Sequence, residues 1–157
     1  MSAAKRLTAV AGALSLAAGA ALIGATPASA ATTGTCYTDR PCLLLFYNSE
    51  NKGTHLKISA SISNLAGYRY PSGSAAGSGQ LVKNNAASAQ FRADNSFYPS
   101  SGTVYYNSGY AGPCDTFLSN ELNWKIGPKL IRTYNENASV KMVAGLWATH
   151  PSNCFEW

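Results

Sequence analysis

Apolar residues fall in short runs along the chain, and Gly, Pro, Asn and Ser separate the runs. No long stretch keeps a helical period between caps, so the pattern gives no helix. The runs are rich in β-branched and aromatic residues and predict strands at Leu43–Tyr47, Thr54–Ser59, Ala87–Phe91, Thr103–Asn107, Lys129–Tyr134 and Ala138–Trp147. Many short strands with turn signals between them predict an all-β sandwich or barrel. The Ser/Gly/Ala-rich stretch Gly67–Gln80 interrupts the first half and reads as a mobile loop.

The pattern repeats. "FYNSENKG" at 46–53 and "YYNSGYAG" at 105–112 lie 59 residues apart and share an aromatic start, an Asn-Ser pair and a closing Gly. "NNAASAQF" at 84–91 follows the first, and "NENASVKM" at 135–142 follows the second. Repetition of this order means duplicated supersecondary units. The Gly permits a positive φ and a tight hairpin, and the Asn and Ser side chains offer turn chemistry. In the later motif, the Ser hydroxyl can close over the preceding hairpin or cap the loop.

Residues 1–30 change the organisation. Lys5 and Arg6 precede an Ala-rich apolar stretch that ends in "TPASA", the form of a secretory signal peptide cleaved after Ala30. No membrane anchor is expected. The remaining chain, 31–157, has the length of one domain, and a monomer is expected. It keeps ten Lys and Arg against seven Asp and Glu, scattered without a cluster. Nucleic-acid binding needs a concentrated basic face, so that class is set aside.

The four cysteines, Cys36, Cys42, Cys114 and Cys154, all lie in the exported part. An even count in an exported chain reads as disulfides. Of three possible pairings, Cys36–Cys42 and Cys114–Cys154 are favoured: the first closes a small loop around Pro41, and the second ties the tail to the body. A zinc site is disfavoured because no C-x-x-C is present and His55 and His150 show no ligand spacing.

At these residues the chain resembles the βγ-crystallin family. The carriers are the aromatic, four residues, aromatic, one residue, Gly pattern at 105–112, its weaker copy at 46–53 (Asn51 replaces the second aromatic), and the two Asn-x-x-Ala-Ser segments. The resemblance implies one domain of two Greek keys in a two-sheet sandwich. The first key spans about 42–92, the second about 102–143, and a tail 144–157 follows. With the signal peptide and the early Cys pair, the chain also resembles secreted actinomycete proteins of this type, which include metalloproteinase inhibitors and killer-toxin-like relatives. The resemblance further implies a calcium site at Asn84, Asn85, Ser88, Asn135, Glu136 and Ser139. Ala89 and Val140 replace the motif's closing Ser, and only Glu136 carries charge, so any calcium binding is expected to be weak. No cofactor is required.

Three functions follow as expectations. The first is a peptidase inhibitor that presents a rigid loop to a secreted protease. Its candidate loops are Tyr37, Thr38, Asp39 and Arg40 inside the first Cys pair, and Cys114 with Asp115 after the second hairpin. The second is an antimicrobial or killer-toxin-like protein using exposed aromatics such as Tyr68, Tyr70, Tyr98 or Tyr110. The third is a calcium-stabilised extracellular module. Enzymatic activity is not expected: hydrolase and metalloprotease motifs are absent, and Cys154 beside His150 reads as half a disulfide.

Overall fold

The computed structural model describes residues 35–95, 98–145, 148 and 150–157. The signal-peptide reading of 1–30 and the placement of Trp147 lie outside them. Among the described residues there are eight strands and no helix: β1 Cys42–Asn48, β2 Lys52–Ile58, β3 Ser88–Arg92, β4 Ser100–Asn107, β5 Ala111–Ser119, β6 Lys125–Gly127, β7 Ser139–Ala144 and β8 Cys154–Glu156. They form two four-stranded sheets, in orders β2-β1-β3-β6 and β7-β4-β5-β8. All pairs are antiparallel except β5–β8. The expected all-β two-sheet sandwich is the fold.

The run "LLLFY" is apolar throughout because β1 is buried on both faces. Leu43 and Leu45 point inward with Leu56, Phe91, Val104, Phe117 and Val140. Each such burial is worth about 1.5–3 kcal/mol. Cys42, Leu44 and Phe46 point to the other side of the sheet, where Cys36 and Trp124 pack over them.

The repeat is real at the level of the backbone. Both hairpins carry a register shift at the same place, between Phe46 and Asn48 and between Tyr105 and Asn107. Asn51 and Tyr110 both take positive φ (54° and 63°), as do Gly53 and Gly112 (78° and 82°). The Ala87 and Ala138 amides donate to the Phe46 and Tyr105 carbonyls at 2.9 and 2.8 Å.

The two halves also exchange partners. Glu50 N donates to Pro128 O and Gly109 N to Ser63 O, both at 2.7 Å. Leu130 N donates to Ala87 O at 2.9 Å and Leu65 N to Ala138 O at 2.8 Å. β6, from the second half, completes the first sheet, while Ile62 from the first half bridges Val140 in the second. Each half therefore closes the other's hairpin.

Several expectations are corrected. Lys129–Tyr134 is a loop, not a strand. Leu130 is buried, but the next three backbone amides turn toward the Asp115 carboxylate instead of a neighbouring strand. β5 was not expected, since Gly112, Pro113 and Asp115 are poor strand residues; continuous pairing with β4 overrides that preference. β6 and β8 are three residues each, too short to leave a pattern. The Gly67–Gln80 stretch is tied down: Ala76 O accepts from Thr54 N, Gln80 O from Tyr70 N, and Tyr70 O from Gly79 N. Tyr47 packs against Gly77, where a Cβ would sit 2.1 Å from its ring.

Candidate functional site

The cysteines pair as Cys36–Cys42 and Cys114–Cys154, which leaves no free thiol. Two disulfides mark an oxidising, extracellular-type compartment. Among the described residues, no helix is long and apolar enough to cross a membrane.

Cys36–Cys42 closes the loop Tyr37, Thr38, Asp39, Arg40, Pro41. Its base is fixed on both sides. On one side Pro41 and Cys42 are buried at the start of β1. On the other, the Arg92 guanidinium donates to Cys36 O at 3.0 Å and Tyr37 O at 3.2 Å, and Asn95 N donates to Thr38 O at 2.7 Å. Arg92 also stacks over Trp124, its guanidinium carbon 5.2 Å from the ring centroid, an attraction of about 0.5–2 kcal/mol. The apex is a turn, with Tyr37, Thr38, Asp39 and Arg40 all exposed. Arg40 pairs with neighbouring Asp39 at 3.4 Å and lies 6.0 Å from the Tyr37 ring centroid. The structure thus brings together the four residues expected here. Sequence reasoning missed Arg92, Asn95 and Trp124 as the supports; they reach the loop across the sheet, and no local signal marks them.

The second candidate loop is corrected. Cys114 and Asp115 are fully buried inside β5, so neither can meet a partner. Asp115 Oδ2 accepts from Arg132 N at 3.0 Å, Thr133 N at 2.8 Å and Thr133 Oγ1 at 2.7 Å. Its Oδ1 accepts from Ile131 N at 2.9 Å and Trp157 Nε1 at 3.2 Å. This carboxylate organises a loop.

The calcium residues divide. Ser88 Oγ donates to Asn48 O at 2.5 Å and accepts from Asn51 N at 3.1 Å. Ser139 Oγ makes the same clamp, to Asn107 O at 2.6 Å and from Tyr110 N at 3.0 Å. Each hydroxyl closes over its own hairpin, as the sequence allowed. Asn84 and Asn135 sit at positive φ (61° and 53°), a conformation Asn tolerates better than most residues. Asn85 and Asn135 share a cavity, a polar cleft of about 180 Å³ with Asn48, Ser49 and Tyr134 in its wall. Its lining has no carboxylate. At the matching place beside the second hairpin, the Lys83 ammonium donates to Asn64 Oδ1 at 3.3 Å and Ser108 Oγ at 3.2 Å. Among the described residues, no three His, Cys, Asp or Glu converge on a point.

The exposed-aromatic set also divides. Tyr70 is core, donating to Asn85 O at 3.3 Å, and burial raises its hydroxyl pKa. Tyr68 packs on the core and Tyr110 against Tyr105; Tyr98 is exposed. His150 sits 3.6 Å from Glu156, and Cys154 is oxidised, so no Cys–His nucleophile forms there.

No family model matches this chain, and no curated protein does. Among solved structures, a βγ crystallin from Ciona intestinalis is similar over 64% of this chain and 96% of its own, at 19% identity and a TM-score of 0.42.

Proposed function

We propose that this is a secreted, non-enzymatic binding protein that inhibits a peptidase through the Cys36–Cys42 loop. The observation that carries the reading is the loop's construction: an exposed four-residue apex on a base held by a disulfide, a buried proline and Arg92. Such a loop loses little conformational freedom on binding, and that is where inhibitors gain affinity. Export through the segment 1–30 belongs to this reading; the resemblance suggests a metalloproteinase-type target, one of the three peptidase classes that the test covers.

A calcium-stabilised module is less favoured. The cleft by Asn85 and Asn135 offers only neutral oxygens, and calcium affinity rises with ligand charge. The hydroxyls of Ser88 and Ser139 already have two partners each.

The test is titration of the oxidised protein from Ala31 onward against thermolysin-like, subtilisin-like and trypsin-like peptidases. Saturable inhibition of one class supports the reading. Absence of inhibition in every class at micromolar protein overturns it and moves growth-inhibition assays for a toxin to the front.

A further inference from the structure

Of the four exposed apex residues, one has the chemistry and the freedom to be the residue a partner reads. Tyr37 and Thr38 have their carbonyls committed to Arg92 and Asn95. Asp39 and Arg40 form the free end of the turn, with side chains 67% and 55% exposed. Among the described residues, the Arg40 guanidinium meets only the adjacent Asp39 carboxylate and the Tyr37 ring. An exposed contact of this kind is weak, so exchanging it costs little. A guanidinium can give a carboxylate two parallel charge-assisted hydrogen bonds, and it is more weakly hydrated than an ammonium, so a closed pocket with a carboxylate at its floor suits it.

The backbone around Arg40 says how it would be read. Residues 38–40 form a turn rather than an extended strand, so pairing with a partner's edge strand is not the mode. The next residue is Pro41, which has no N–H and a fixed φ. The Arg40–Pro41 bond is a tertiary amide whose proline is buried against the sheet, a poor bond to present for hydrolysis. A side chain offered on a stiff turn, beside a bond that is not cut, is suited to occupy a pocket without turnover.

We infer that Arg40 is the specificity-determining residue of the loop, and that the partner is a serine peptidase with a carboxylate at the base of its primary pocket. The inference rests on the proposed function, and one experiment separates the two. The wild-type protein, Arg40→Ala, Arg40→Lys and Asp39→Ala are titrated against trypsin, subtilisin and thermolysin, with near-ultraviolet dichroism confirming an unchanged fold. Wild type inhibits trypsin. Arg40→Ala weakens that inhibition by about 100-fold or more, the scale for removing one partner of a buried charge pair. Arg40→Lys, which keeps the charge but not the fork, retains more of it than Arg40→Ala does, Asp39→Ala changes it little, and benzamidine competes with it. Trypsin inhibition that is indifferent to Arg40→Ala or to benzamidine overturns the inference. So does inhibition confined to thermolysin or subtilisin, which leaves the inhibitor reading standing. No inhibition of any of the three overturns both.

Discussion

Trp157 donates its indole N–H to Asp115 at 3.2 Å, in the middle of the sheet that carries the second hairpin. The same carboxylate takes three consecutive backbone amides and a hydroxyl from residues 131–133. Trp157 also stacks on Phe117, ring centroids 6.0 Å apart, and its main-chain oxygen accepts from Lys125 Nζ at 3.0 Å. One buried anion thus fastens a loop and the C-terminal strand to β5.

Asp115→Ala leaves several buried donors without an acceptor, each costing about 1–3 kcal/mol. A loss of about 3 kcal/mol or more is expected in urea unfolding. Trp157→Phe removes one donor and keeps much of the stacking, so its loss should be about 1–2 kcal/mol. Equal and small effects of the two would contradict the account of the loop.

Ser88→Ala and Ser139→Ala should each cost about 1–2 kcal/mol, since each removes a hydroxyl that serves two backbone groups. The twin geometry predicts similar values for the two sites. Calcium or a chelator should leave the melting temperature of the wild type unchanged, because a ligand stabilises only by binding the folded state. A rise with millimolar calcium would restore the calcium-module reading.

The two disulfides should differ in weight. Cys114–Cys154 spans 40 residues and Cys36–Cys42 spans 6. Chain entropy gives about 4 and about 2 kcal/mol respectively. Replacing Cys114 and Cys154 by Ser should therefore lower the urea midpoint more than replacing Cys36 and Cys42. The latter pair should instead abolish inhibition in a chain that still folds.

His55 lies against Phe46, ring centroids 5.0 Å apart, and burial together with Lys57 lowers its pKa below the usual 6.5. The folded state then binds fewer protons than the unfolded one, so stability rises with pH through that window. Urea midpoints should fall as the pH drops below about 6.5. His55→Gln should flatten that dependence, and an unchanged slope would assign it to other groups.

The architecture was legible where side-chain chemistry is local. Hairpin residues with positive φ, the clamping serines and the spacing of the cysteines are all written in short strings. Contacts between distant segments were not. Asp115 reads as part of an exposed loop because nothing nearby in sequence reveals that residues 131–133 will wrap around it. The alternation in "KLIRTY" looks like a strand for the same reason. The candidate site was half legible: the ring Cys36–Cys42 and its polar apex stand out, but Arg92, 56 residues from Cys36, supports it through carbonyls that carry no sequence signal.

The most direct test compares the wild type with the Cys36→Ser/Cys42→Ser double variant in one peptidase titration, with dichroism confirming that both are folded. The account predicts inhibition by the wild type that saturates at equimolar protein and peptidase, and a large loss when the ring is opened. A folded variant that inhibits as well as the wild type, or a wild type that inhibits no peptidase, would contradict it.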